Sequence, residues 1–358
     1  MSSWTITEVP ADPSHAAQIA AMVDVRTAVT LDTWGTLDLA DPVAVDLAAL
    51  VDQSFTRHGF LAAVDDGGRT LGAVFLDLPQ QDNQTTAWLN LLVAPGERGR
   101  GIGTALHDAA IDWLRAHGRS VAQASTDQRA EPPAGPGTLA PPTGAGLVAA
   151  DDRDVRFMRS RGWVLEQVSR RSVLVLPLPD GALRRFQEES AAAAGPDYRL
   201  VAWGGRTPDE WLDQYSYVLS RMSTDAPVAG LEWGQQAWNG TRVRALEDRA
   251  REGGYRLLVL AAEHVPTHTL AAFTNVWAPP HTGEVAHQGD TLVVPEHRGR
   301  RLGMLVKAAN LRRLSDELPA VRRVDTWNAE ENRWMLAINV ALGFRPSGGA
   351  GEWQRVLA

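Results

Sequence analysis

Residues 93–103 read Val-Ala-Pro-Gly-Glu-Arg-Gly-Arg-Gly-Ile-Gly, and residues 293–303 read Val-Val-Pro-Glu-His-Arg-Gly-Arg-Arg-Leu-Gly. At this offset Val93, Pro95, Arg98, Gly99, Arg100 and Gly103 fall on Val293, Pro295, Arg298, Gly299, Arg300 and Gly303, and Ala109 and Leu114 fall on Ala309 and Leu314. An internal repeat constrains the fold more than any other feature, because it makes the chain two copies of one unit. The flanks repeat too. A strand precedes each turn, at 87–93 and 290–294, and a helix follows it. Ile102, Ala105, Leu106, Ala109 and Trp113 recur at helical spacing in one copy, and Leu302, Leu305, Val306, Ala309 and Leu314 do so in the other. The breakers Gly118 and Pro319 end the two helices.

In the first copy the spacing predicts a strand over 4–8, helices over 14–28 and 43–57, and a hairpin of 59–64 and 69–78 around Asp65-Asp66-Gly67-Gly68. After the turn and its helix come a strand over 121–126, a helix over 152–161 and a strand over 164–177. The second copy repeats the order: strand 199–203, helices 208–222 and 239–252, strands 256–263 and 269–277, then the turn and its helix, strand 322–327, helix 330–341 and strand 352–357. The expected class is α/β (α+β), with two tandem domains, each a mixed, mostly antiparallel sheet flanked by helices. The expected domains are 1–178 and 198–358, joined by a linker over 179–197. A length of 358 residues suits two cores better than one. Residues 130–147, dense in Pro, Gly and Ala, read as a surface loop.

Composition narrows the functional classes. A net charge of −8 argues against a general nucleic-acid binder. The absence of cysteine excludes disulfides, thiolate metal sites and a cysteine nucleophile. His264 and His268 flank Pro266 without a completing acid, so they read as a turn and no metal is expected. No run approaches the roughly 20 apolar residues of a membrane helix, so a cytoplasmic protein with no membrane partner is expected.

The turn itself has a chemistry. Glycine lets the backbone turn tightly and lets a ligand approach the amides. The helix behind it starts with unpaired N–H groups and the positive end of its dipole, which together suit a phosphate or pyrophosphate. Arg98 and Arg100, or Arg298, Arg300 and Arg301, add planar donors. Neither copy has the Gly-Lys-Ser/Thr of a nucleotide-triphosphate loop, and Gly99, Gly101 and Gly103 lack the dinucleotide-fold spacing.

Arg98-Gly99-Arg100-Gly101-Ile102-Gly103 resembles the acetyl-CoA signature R/Q-x-x-G-x-G/A of the GNAT superfamily of N-acetyltransferases. Residues 325–344, with Asn332 ahead of a closing Gly343-Phe344, are similar to that family's fifth strand and following helix, and Gly162-Trp163 is the first copy's equivalent. The whole resembles tandem, two-domain proteins of the actinobacterial mycothiol acetyltransferase type. The resemblance implies acetyl-CoA as co-substrate and a small-molecule amine as acceptor, in a monomer or homodimer. It implies that the pyrophosphate rests on Arg98, Gly99, Arg100, Gly101, Gly103 and Thr104, or on Arg298, Gly299, Arg300, Arg301, Gly303 and Met304. It also implies that the backbone N–H near Val93 or Val293 holds the thioester carbonyl, and that Asn328 and Asn332 contact the pantetheine arm. The amine would then attack the thioester directly.

The chain departs from this family at one point. Many members carry a Tyr five residues before the closing aromatic, and here Met158 and Asn339 stand there. Methionine cannot donate a proton and asparagine can only hydrogen-bond. The proton-handling candidates are therefore Asp290 and Glu284, and Asn339 is kept as a catalytic-site candidate by its position. Trp277, Trp327 and Trp334 read as core or as the lining of an acceptor pocket. The intact glycines favour the first copy as a cofactor site, and the Asn-rich segment favours the second as the catalyst. A non-catalytic acyl-CoA-binding protein is the competing reading.

Overall fold

Each repeated turn lies between a strand and a helix in the computed structural model, which describes residues 3–357. In chain order the first copy forms β1 (Trp4–Val9), α1 (Ala16–Trp34), α2 (Val43–Val51), β2 (Thr56–Asp65), β3 (Thr70–Pro79) and β4 (Thr86–Val93). After the turn come α3 (Ile102–Ala116), β5 (Val121–Gln128), the two-residue strands β6 (Thr138–Leu139) and β7 (Val148–Ala149), α4 (Arg153–Ser160) and β8 (Val164–Val175). Then follow α5 (Ala182–Ala194), β9 (Tyr198–Gly204), α6 (Asp209–Asp225), α7 (Gly240–Glu252), β10 (Arg256–His264), β11 (Thr269–Ala278) and β12 (Val285–Val293). The chain continues through α8 (Leu302–Glu317), β13 (Arg323–Ala329), α9 (Arg333–Leu342) and β14 (Arg345–Val356). Among the described residues no helix is long and apolar enough to cross a membrane.

Local chemistry sets the element ends. The helix predicted over 43–57 stops at Val51, because the Asp52 carboxylate accepts the Ser54 N–H at 2.9 Å and closes a turn before β2. Asp152 caps α4 by accepting from the N–H groups of Asp154 and Val155. Gly35 ends α1 in the left-handed conformation, with its N–H on the Leu31 carbonyl.

The chain forms two compact units. One holds the chain through Ser169 with Val228–Gly234 and the C-terminal stretch from Gly348; the other holds Arg170–Pro227 and Gln235–Ser347. In the first unit the sheet order is β1-β2-β3-β4-β5, antiparallel except for the parallel β4–β5 pair. The last strand of the chain completes this sheet: Gly349–Val356 runs antiparallel to β5 from Gln128 to Val121. Trp353 and Leu357 join the core of Leu71, Leu106, Leu114, Trp163 and Leu165. The second unit repeats the arrangement with the order β9-β10-β11-β12-β13, and β8 lies beside β13.

These units differ from the sequence division at four places. Residues 170–178, expected in the first copy, belong to the second unit, and Val228–Gly234, expected in the second copy, belongs to the first. The strand expected to close the second copy packs with the first unit. The expected linker is part of the second unit, where α5 packs along α8 and buries Ala194, with Leu183 and Phe186 against the core. The helix α8 is buried on nearly every side, including the polar residues Lys307 and Asn310.

Candidate active site

Both turns reach the same backbone geometry by different residues. Gly99 and Gly101 have φ of 77° and 82°, and Gly299 and Arg301 have φ of 80° and 55°. Gly101 and Arg301 are the helix N-caps, and no side chain caps α3 or α8. The first-turn N–H groups of both helices therefore lack intrahelical partners and point out of the helix end. A methyl group built at Gly99, Gly101 or Gly299 would meet nothing within 4 Å, so the outer face of each loop is open. Gly103 and Gly303 are different: a methyl there would lie 3.5 Å from Val93 and 3.6 Å from Val293, so each helix start sits close against its strand, and at Gly303 the methyl would also stand 3.0 Å from Ile338 of α9. These features fit a pyrophosphate.

The arginines are more occupied than the sequence suggests. Arg98 Nε donates to the Val93 carbonyl at 3.3 Å, and its guanidinium pairs with Asp32 at 2.6 Å. Arg298 does the same with the Val293 carbonyl at 3.1 Å and Asp225 at 2.8 Å. Each ties the strand end to a preceding helix. Arg100 pairs with Glu97. Arg300 lies over the Tyr198 ring at 5.8 Å, and Arg301 is 3.8 Å from Glu189. Thr104 is exposed, whereas the Met304 side chain is buried in the core, so only its backbone can face a ligand.

The two parallel strand pairs part at equivalent places. β4 and β5 pair only from Thr86↔Val121 to Trp88↔Gln123, and β12 and β13 only from Val285↔Arg323 to His287↔Asp325. Beyond those points each pair opens beside its turn. Only the second unit adds a bulge between the strand before the turn and its antiparallel neighbour. The β11–β12 register shifts between Thr274↔Thr291 and Val276↔Gln288, so Gly289 and Asp290 together face Asn275. In the first unit the β3–β4 register runs unbroken from Gly72↔Val93 to Asp77↔Trp88.

The bulge carries the carboxylate. Asp290 keeps a partly exposed edge, but the protein around it pushes its carboxyl up from the ordinary value, and a hydrogen bond from the Asn275 side chain offsets this only in part. Asn275 turns its oxygen to Trp277 Nε1 at 3.2 Å. Gly289 leaves room for this cluster, since a methyl there would stand 2.2 Å from Asn275 Oδ1. The hydroxyl of Tyr215 is buried near the Asn275 side chain; its burial raises its pKa, Asn275 offsets this in part, and the charge of Asp290 adds to the rise. Neither the bulge nor Tyr215 was visible as a site feature in the sequence. The one available signal was the offset itself: Asn90 stands where the second copy has Asp290, and it faces Phe75.

The other candidates are placed elsewhere. Glu284 is exposed at the closed end of the β12–β13 pair, where its carbonyl accepts the Arg322 and Arg323 N–H groups and its carboxylate lies 3.5 Å from Arg323. Six residues of strand, about 20 Å, separate it from Asp290. Asn339 is fully buried: it accepts from Lys307 Nζ at 2.6 Å and donates to Asn328 Oδ1 at 2.6 Å. Asn332 caps α9 through its Oδ1, 3.3 Å from the Met335 N–H. Trp327 and Trp334 are 37% and 72% exposed and belong to no core. Among the described residues no group of three or more His, Cys, Asp or Glu could hold a metal ion.

Residues 27–132 match the Acetyltransferase (GNAT) family. The mycothiol acetyltransferase of Rothia mucilaginosa is 24% identical over 96% of this chain and 91% of its own length. Among solved structures, a tandem GNAT protein from the clavulanic acid biosynthesis pathway is 27% identical, with a TM-score of 0.74 over 99% of both chains. A GCN5-related N-acetyltransferase from Sphaerobacter thermophilus shares the fold at 14% identity, with a TM-score of 0.57 over 99% of this chain and 96% of its own. With the turn, the parted strands and the repeated architecture, these likenesses give residues 27–132 a match to the GNAT acetyltransferase family and the whole chain the tandem architecture of GNAT acetyltransferases.

Proposed function

We propose that the second unit moves the acetyl group of acetyl-CoA to the amine of a small molecule by direct attack, with Asp290 as the base. The observation that carries this reading is the Asp290 carboxylate on a strand bulge, at the open end of a parted strand pair beside a turn of unpaired amides. The first unit has Asn90 at that place on an unbulged strand, and an amide cannot take a proton from an amine. A small-molecule acceptor accords with the name of the Rothia relative, mycothiol acetyltransferase.

Each residue then has a stated task. The backbone N–H groups of Arg301, Leu302, Gly303 and Met304 hold the pyrophosphate, and Gly299 and Arg300 shape the loop. Arg298 ties down the strand end, so that the Val293 N–H is held where the thioester oxygen gathers charge. Asp290, its pKa raised by burial, is a stronger base than an ordinary carboxylate and takes a proton from the acceptor's ammonium group, so that the neutral amine attacks the thioester carbonyl and the thiolate leaves. Asn328 hydrogen-bonds at the open strand end, Asn339 is buried behind it, and neither amide can give a proton to the leaving sulfur, so the thiolate is protonated by solvent. In the first unit Val93, Arg98, Gly99, Arg100, Gly101, Gly103 and Thr104 form a nucleotide-binding turn without a base, which is the acyl-CoA-binding role without turnover.

Thiol release from acetyl-CoA, measured against a panel of small amines, tests the reading. Turnover with at least one amine, lost in Asp290→Asn and kept in Asn90→Ala, is expected. Full activity in Asp290→Asn would refute it, and CoA binding with no turnover on any amine would leave the binding-protein reading in its place.

A further inference from the structure

A charged side chain is buried beneath the parted strands of the second unit. Lys307 lies in the middle of α8 and is 1% exposed. Its Nζ donates to Asn339 Oδ1 at 2.6 Å, lies 3.7 Å from the Met335 sulfur and 5.6 Å from the centre of the Phe344 ring. Asn339 Nδ2 donates in turn to Asn328 Oδ1 at 2.6 Å. Asn328 is partly exposed on β13, beyond the last residue that pairs with β12. A chain of three polar side chains thus runs from the helix interior to the open strand end.

The polarity of this chain has one source. A protonated lysine only donates, so it turns the Asn339 oxygen toward itself. The Asn339 amide nitrogen then faces Asn328, which must turn its own oxygen inward. Its N–H groups are left for the cleft. We propose that Lys307 is a positioning residue of the acyl-transfer site, which sets the orientation of Asn339 and through it makes Asn328 a hydrogen-bond donor to the acyl-CoA arm. This rests on the function proposed above. A buried amine has a cost. Burial pulls its pKa down to about 7, and an apolar side chain would serve the core better. The first unit supports the assignment by contrast. His107 occupies the same position of α3, but its ring meets Asp108, Trp163 and Arg355, and the buried Met158 stands where the second unit has Asn339. A methionine thioether at that position cannot pass on such a chain of amides.

The test is a double-mutant cycle on the full chain, read as CoA affinity by calorimetry and as kcat/KM for acetyl-CoA. Lys307→Met keeps the shape and removes the donor. It is expected to weaken CoA binding and to lower kcat/KM about tenfold, the factor that one net hydrogen bond carries, with an unchanged or higher Tm. In an Asn328→Ala background the same substitution should change neither quantity more than about twofold, whereas a purely structural role would be additive. Asn339→Asp supplies a second route that does not touch the lysine. The carboxylate keeps its partner at Lys307 but cannot donate to Asn328, so the same tenfold loss is expected. Wild-type kinetics in Lys307→Met or Asn339→Asp, or an undiminished tenfold loss in the Asn328→Ala background, would overturn the inference. Absence of CoA binding by the wild-type protein would instead overturn the proposed function, and this inference with it.

Discussion

Arg301→Gly should make the second unit more stable. Arg301 is the N-cap of α8 at φ 55° and ψ 18°, in the left-handed region, where Gly101 stands in the first unit at φ 82° and ψ −4°. An L side chain in that region costs about 1–2 kcal/mol that glycine does not incur. Two terms oppose the gain. Glycine loses more backbone freedom on folding, about 0.5 kcal/mol. The ion pair with Glu189, at 3.8 Å between side chains 48% and 51% exposed, is also lost; such pairs contribute about 0–0.5 kcal/mol. At mid-range values the net expectation is a gain of about 0.7 kcal/mol, or roughly 1.5–3 °C in the melting of a unit of this size. Differential scanning calorimetry reads it directly. The N–H of residue 301 survives the change, so CoA affinity should move less than about threefold if the backbone holds the pyrophosphate. An unchanged or lower melting temperature would refute the strain argument. A loss of CoA affinity beyond tenfold would show that the guanidinium, not the amide, is the ligand.

Asp290→Asn should lower kcat by about 10²-fold or more, with CoA affinity little changed. Because burial raises the Asp290 pKa and the base must be ionised, kcat/KM of the wild type should fall as pH drops through a midpoint above the ordinary carboxylate range. That acid limb should vanish in the variant, and its persistence would assign the base elsewhere. Gly289→Ala would place a methyl 2.2 Å from Asn275 Oδ1 and 3.0 Å from Trp277 Nε1. It should cost about 1–3 kcal/mol together with most of the activity, which urea unfolding and thiol release would measure; a neutral result would mean the bulge is not built as described. Trp353→Ala removes a fully buried side chain of the C-terminal strand from the first unit's core. It should destabilise that unit by about 3–5 kcal/mol, seen as a lowered first transition in calorimetry, whereas a lowered second-unit transition would contradict the strand assignment.

Much of the architecture was legible because it rests on local signals. The turns, the helices behind them and the alternating strands follow from glycine placement and apolar spacing, and β2, β3, β10 and β11 lie close to their expected ranges. The unread features are those set by distant partners. A strand has the same alternation whichever sheet it joins, so nothing in residues 352–357 shows that they pair with β5. The bulge at Gly289 and Asp290 depends on Asn275 and Trp277 across the strand pair, and the local sequence shows only a glycine before an acid. Lys307 carries no local sign of burial, because α5, α9 and the sheet, which cover nearly every side of α8, are all distant in sequence or set by the fold. Glu284 and Asp290 were equal candidates by type. Only the strand direction, with one at the closed end and the other at the open end, separates them.

Calorimetric titration of the wild-type chain with CoA, followed by thermal melting of the mixture, addresses the reading of the turns most directly. Amides left open at Arg301–Met304 predict released heat and saturable binding, and a rise in stability of about 2.7 kcal/mol at a CoA concentration 100 times Kd. No heat and an unmoved melting temperature would mean that these turns hold no diphosphate and that the proposed acetyl transfer has no donor.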